Sequence, residues 1–345
     1  MTKKEKFERL RNGRENPSPV LFQPILMHFA ARFCGRTYAE FASDYHVLVE
    51  SNLRALEFFD MDMVGLISDP YRETSAFGAR IEYIAEGVPR CLDTVIRTMD
   101  DVKELRRPDV HKAERTRDRI QGAALYQERL KGSVPVFGWI EGPLAEACDL
   151  AGISAMLTNL MDDPDLSRSL MDKCVVTAKD FARAQIEAGC DIIGIGDAVC
   201  SQISRRTYDA FVRERHRDLI EFIHSQGGLV KLHICGDITH LLPSLRDLGV
   251  DILDLDSQVD MDAAHGVLGG GVIRCGNINP VDIQFKTESE LRTLAMTLVL
   301  REEGRRFILS GGCEITVDTP IGNLRALREA SQETLDNGIR GTIGQ

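Results

Sequence analysis

The sequence predicts an α/β fold, a (β/α)8 TIM barrel with an extra N-terminal helix, and three observations lead there. Eight short apolar segments alternate with helical ones along the chain. From the middle onward those segments are apolar almost throughout ("DIIGIG", "VDILDL", "RFILSG"), as strands of a parallel sheet covered on both faces must be. The 345 residues contain no Pro/Gly/Ser-rich linker and no domain-scale repeat, so a single domain over residues 1–345 suits the series, with residues 1–19 as a helical extension. A doubly wound open sheet is the alternative arrangement of the same elements.

In chain order, "KKEKFERLRNG" (3–13) reads as the first helix, ending at Gly13 before the proline-containing segment "ENPSP". "VLFQPIL" (20–26) is the first strand. Helix 45–60 carries Val47, Leu48, Leu53, Leu56 and Phe59 near helical spacing, and strand 61–68 follows. Residues 76–91 alternate and contain Glu86-Gly87, which predicts a hairpin. Polar helices at 100–106 and 111–131 lead to strand 134–141. Helices at 143–150, 153–162 and 164–188 come next; the last has Asp163 as N-cap, Pro164 at its first position and Gly189 beyond its end. Strands at 191–195, 229–233, 251–255, 272–276 and 306–310 then alternate with helices at 205–226, 238–248, 260–268, 287–302 and 320–335.

Composition narrows the function. Hydrophobic residues at 43% and charged residues at 28% are those of an ordinary globular chain. A formal net charge of −11 argues against non-specific nucleic-acid binding. No run reaches the ~18 apolar residues of a membrane span, and no apolar segment follows the basic N-terminus as in a signal peptide, so a cytoplasmic protein is expected. The nine cysteines include no CxxC pair and do not read as a disulfide framework.

A barrel carries its chemistry at the C-terminal ends of its strands. Here strand two ends in Ser68-Asp69-Pro70, strand three in Trp139-Ile140-Glu141 and strand four in Gly196-Asp197. Strand five ends in His233-Ile234-Cys235, strand six in Asp254-Leu255-Asp256, strand seven in Cys275-Gly276-Asn277 and strand eight in Gly312-Cys313-Glu314. His233 and Cys235 are two apart and share a strand face, and Cys313 faces them across the rim. One imidazole and two thiolates make a three-ligand zinc set with an open fourth position. Such a zinc binds an incoming thiol as a nucleophilic thiolate, which suggests alkyl transfer to sulfur. The other reading of the same residues is three buried thiol and imidazole groups without a metal. Asp197, Asp256 and Glu141 suit helix caps or ion pairs as well as catalytic roles. Asp256 is expected as a fourth ligand or as the group orienting His233.

The segments "LHICGDITHLLPSLRDLGVDILDLD", "GNINP" (276–280) and "LSGGCEITVDTPIGNLRAL" (309–327) resemble the uroporphyrinogen decarboxylase superfamily. More closely, they resemble its zinc-dependent branch of methylcobamide:coenzyme M and related corrinoid methyltransferases. "SDPYRETSAFGARI" (68–81) and "MHFAARFCGRTYAEF" (27–41) extend the likeness over most of the chain. The resemblance implies a (β/α)8 barrel with Zn2+ on His233, Cys235 and Cys313. It also implies a corrinoid (methylcobalamin) supplied by a corrinoid-binding partner protein, with a small-molecule methyl donor or thiol acceptor. Decarboxylases of the superfamily carry two arginines in an Arg-Gln-Ala-Gly-Arg segment, where this chain has His28-Phe29-Ala30-Ala31-Arg32. Their Gly-His-Gly segment after strand eight is Gly312-Cys313-Glu314 here. Asp69 matches their essential aspartate, so a decarboxylase using Asp69 and Arg32 is the alternative. On the leading reading Asp69, Asp197 and Asp256 are catalytic candidates. Met27, His28, Arg32, Trp139, Glu141 and Asn277 are expected to bind substrate.

Overall fold

Eight parallel strands form the sheet of the computed structural model, which describes residues 1–13 and 19–333. They are β1 (Leu21–Phe22), β2 (Val64–Gly65), β3 (Val136–Glu141), β4 (Ile192–Gly196), β5 (Leu229–His233), β6 (Ile252–Leu255), β7 (Ile273–Ile278) and β8 (Phe307–Gly311). The ladder runs without interruption from β2 through β3 to β8 and on to β1. Backbone and side-chain hydrogen bonds close the seam between β1 and β2. The Asp62 amide donates to Phe22 O (2.9 Å), and the Asp62 carboxylate accepts from the Phe22 amide (2.9 Å). Asn52 donates to Gly65 O (3.0 Å), as does the Tyr126 hydroxyl (3.2 Å). Backbone groups that would be orphaned at two sheet edges are thereby satisfied, and the sheet behaves as a barrel.

The first helix, Lys3–Asn12, starts on a capping box between Thr2 and Glu5. Its apolar face inserts Phe7 and Leu10 among Leu21, Phe137, Ile252 and Ile308 of the barrel interior. Lys3 pairs with Asp60 and Lys4 with Asp191, both just before strands, so this helix plugs the N-terminal end and leaves the opposite rim open. At that rim the register aligns Glu141 with Gly196, Gly196 with His233, and His233 with Asp254. Strand-end side chains therefore meet at one level.

The predicted hairpin forms between strands Ile81–Ile84 and Gly87–Cys91. Other expectations need correction. The first strand pairs only over two residues, with Gln23 still donating to Leu309 O, because Pro24 has no N–H to continue the ladder. The helix expected over 205–226 is two helices, Arg205–Phe211 and Arg213–Ser225, meeting at Val212. The one expected over 238–248 shrinks to Leu242–Leu245, with Pro243 in its first turn. Short helices at His28–Phe33, Tyr38–Ser43, Arg72–Ala76 and Pro280–Phe285 have too few turns to give a periodic signal. The last helix is described over Ile321–Gln332, and residues 334 and 335 of its predicted span lie outside the described residues. Among the described residues no helix is long and apolar enough to cross a membrane.

Candidate metal centre at the barrel mouth

His233 ends β5, and Cys235 lies two residues further on the same face. Gly236 follows with φ +86°, a conformation L side chains rarely adopt. Cys313 comes from the turn after β8. A Cβ on Gly312 would sit 2.4 Å from Ser257 N, so the absent side chain is what lets that turn press against the β6 loop. His233 Nε2 is 3.0 Å from Cys235 Sγ, the two sulfurs are 3.5 Å apart, and Cys313 Sγ is 3.9 Å from Nε2. A tetrahedral zinc with Zn–S near 2.3 Å and Zn–N near 2.0–2.1 Å holds its ligand atoms roughly 3.5–3.8 Å apart. Soft donors converging at nearly that spacing fit the ion.

Behind the donors sits a relay. His233 Nδ1 is 3.0 Å from Asp254 Oδ2, leaving Nε2 to face the sulfurs. Lys231 Nζ, buried in the barrel interior, is 2.7 Å from Asp254 Oδ1 and donates to Gln23 Oε1 at 2.7 Å. Burial pushes the Asp254 carboxyl up, but Lys231 and His233 together outweigh it and hold it at about 2. The Cys313 thiol is pushed below the ordinary range, chiefly by the hydrogen bond with Cys235, against burial and with help from His233. Trp139 packs beside His233, ring centroids 5.9 Å apart. It fits there because Gly194 and Gly196 on β4 carry no Cβ, which would lie 2.2 and 2.8 Å from its ring.

These groups open onto a cavity of about 210 Å3 that also receives Met27, Asp69, Glu141 and Glu314. Of the residues expected at the site, the structure thus gathers His233, Cys235, Cys313, Met27, Asp69, Trp139 and Glu141. It does not gather the rest. His28 and Arg32 line a separate outer pocket, where His28 meets Glu86 (3.3 Å) and Arg32 pairs with Asp318 (2.8 Å). Asn277 does not reach the cavity, because its amide donates to Val259 O (2.7 Å) and Asp256 O (3.2 Å). Asp197 is fully buried outside it, accepting from the Ala145 amide (2.7 Å) at a helix start and facing His216 Nε2 (2.9 Å). Asp256 is not the orienter of His233: its carboxylate accepts from the Gly236 and Gln258 amides (3.0 and 3.1 Å) and shapes the loop beyond Cys235. Asp254 takes the orienting role.

Asp69 and Glu141 reach the cavity with their oxygens already held by arginines. Arg115 grips both Asp69 oxygens (2.8 and 2.6 Å), and Ser68 donates to one of them. Burial raises the Asp69 carboxyl, but Arg115 outweighs it and holds the group well below the ordinary range. Arg72 donates to Glu141 Oε1 (2.7 Å), as does the Trp139 indole (3.2 Å). The burial of Glu141, with Glu73 close by, pushes its carboxyl well up in spite of Arg72. Glu314, missed in the sequence although it adjoins Cys313, accepts from the His28 amide (3.1 Å) and is pushed up to about 7, mainly by burial. A second group of possible ligands, Asp197, Cys200 and His216, is fully buried. Both His216 nitrogens already face partners, Tyr208 and Asp197, so that group is a structural cluster.

The uroporphyrinogen decarboxylase (URO-D) family model matches residues 2–334. A methylcobamide:CoM methyltransferase of Methanosarcina barkeri is 30% identical over 226 residues, which cover 62% of this chain and 62% of that relative. The match thus spans less than two thirds of that relative's length. A uroporphyrinogen decarboxylase of Geobacter metallireducens is 27% identical over 253 residues, 71% of this chain and 72% of its own. A solved methyltransferase from Methanosarcina mazei shares the fold, with a TM-score of 0.87 at 21% identity over 96% of this chain and 98% of its own.

Proposed function

The chain belongs to the uroporphyrinogen decarboxylase family, and from that premise we propose that it is a zinc-dependent methyltransferase. It moves a methyl group between a corrinoid on a partner protein and a thiol or other heteroatom substrate at the barrel mouth. The observation that carries this reading is the convergence of His233 Nε2 and two cysteine sulfurs within 3.9 Å of one another. The ion and the corrinoid, when bound, supply Lewis acidity that keeps a substrate heteroatom nucleophilic and a cobalt that carries the methyl group.

The chain's own residues do the rest. His233, Cys235 and Cys313 hold the ion. Asp254 fixes the imidazole so that Nε2 is its ligand atom, the task a carboxylate behind a zinc-binding histidine performs. Trp139 packs against that imidazole and, with Met27, lines the cavity. Glu314 lines the cavity beside Cys313 and holds or releases a proton near neutral pH.

The decarboxylase alternative is less well supported. Asp69 and Arg32, the pair it needs, line two different pockets, and each is already paired, with Arg115 and Asp318.

The test follows the cobalamin spectrum with a panel of thiols and methyl donors, using zinc-loaded and metal-free protein. The expected result is zinc-dependent demethylation of methylcobalamin by a thiol, or zinc-dependent methylation of Co(I) by a donor. Either activity should be lost in Cys313→Ala with the fold retained. Transfer that ignores zinc, or metal-free decarboxylation of a porphyrinogen, overturns the reading.

A further inference from the structure

We propose that the substrate reaching the three donors carries no anionic group. It is a small neutral or cationic thiol or methylated heteroatom compound, and sulfonates and carboxylates of the same size are rejected. The proposal rests on the methyltransferase reading and names the substrate class of that same site.

Three acidic side chains, Asp69, Glu141 and Glu314, line the cavity, and none of its lining residues is a lysine or arginine. Arg115 balances Asp69, and Arg72 donates to Glu141, but both guanidinium groups are buried and neither lines the cavity. An entering molecule therefore meets acidic side chains and no lysine or arginine. Glu314 accepts from a backbone amide, and among the described residues no lysine, arginine or histidine side chain pairs with it. A divalent zinc on two thiolates has no net charge left to attract an anion. Ile25, Ile67 and Pro70 supply an apolar wall with nothing to solvate an anionic tail.

A longer substrate reaching outward meets cations that already face carboxylates. In the outer pocket Arg32 is held by Asp318 (2.8 Å), Arg36 lies 3.5 Å from Glu40, and His28 faces Glu86 (3.3 Å). An anionic group there competes with carboxylates already in position.

The test uses the cobalt(II)-substituted protein and three thiols of nearly equal size: 2-mercaptoethanol, cysteamine and 2-mercaptoethanesulfonate. The thiolate-to-cobalt charge-transfer band reports binding without any methyl transfer, and each affinity is corrected for the thiol's own ionisation. The sulfonate is expected to bind at least about tenfold more weakly than the neutral thiol, with cysteamine equal to it or tighter. Met27→Lys adds a cation to the cavity wall without breaking an ion pair and should narrow the gap; Glu314→Gln should narrow it from the other side. Equal or tighter binding of the sulfonate by the unmodified protein overturns this inference and leaves the methyltransferase reading standing. If no thiol of any charge perturbs the band, the reading itself fails and the inference with it.

Discussion

On the β2–β4 side of the barrel mouth, Asp69, Glu141 and Asp197 each commit carboxylate oxygens to a distant structural partner: Arg115, Arg72, or a helix start together with His216. On the β5–β8 side, His233, Cys235 and Cys313 turn their donor atoms toward one another; Asp254 bonds to the rear of His233, and Lys231 in turn holds Asp254. Both sides place ionisable residues at strand ends, yet of the two groups of converging donors among the described residues only the one on the β5–β8 side lines the cavity. An acidic residue at a strand end is a candidate for chemistry. What its oxygens already hold decides whether it performs any.

The contrast is open to test by substitution on each side. The largest effect on stability is expected from Asp69→Asn. It leaves the Arg115 guanidinium buried without its counter-ion and should cost about 3–5 kcal/mol in urea unfolding, while the zinc content of the folded fraction is unchanged. Loss of zinc from that variant would mean the two sides are not separable. Asp254→Asn should weaken zinc binding by about 10–100-fold in competition with a chelator, with a far-UV circular dichroism spectrum like that of the parent. Unchanged affinity there would remove Asp254 from the relay. Gly194→Ala drives a Cβ into the Trp139 ring. An overpacking cost of about 1–3 kcal/mol is expected, with the ring displaced from His233 and a measurable change in tryptophan fluorescence.

The smallest expected effect is on pH dependence. The folded pKa of Asp69 lies below its unfolded value, near 3.9, so the stabilisation from this group is complete above that value. It is lost as pH falls towards the folded pKa. Between pH 5 and pH 3 the urea midpoint of the parent should therefore fall more than that of Asp69→Asn. Parallel curves would show that Arg115 does not hold the carboxylate ionised.

Much of this was legible in the sequence. Apolar strand runs, helix caps and the pairing of His233 with Cys235 on one face follow from local chemistry, and barrel closure brings Cys313 to them. The choice between Asp254 and Asp256 did not follow, because both share the parity of one strand face. β6 ends at Leu255, and beyond it Asp256 turns to the Gly236 amide. Nor could spacing show that Arg72 and Arg115, contributed by the helices at Arg72–Ala76 and Glu114–Leu130, would claim Glu141 and Asp69. Those pairings depend on how helices pack outside the sheet. The division of the mouth into an inner cavity and an outer pocket, which separates Met27 from His28 and Arg32, depends on a six-residue helix too short to leave a pattern.

The most direct test of the central claim compares zinc per chain in the parent, Cys313→Ala and Glu141→Gln, each purified without chelator. The parent and Glu141→Gln should retain about one equivalent, and Cys313→Ala less than about a tenth, if the ion is held by the three donors on one side of the mouth. Zinc retained by Cys313→Ala, or absent from the parent, would contradict it.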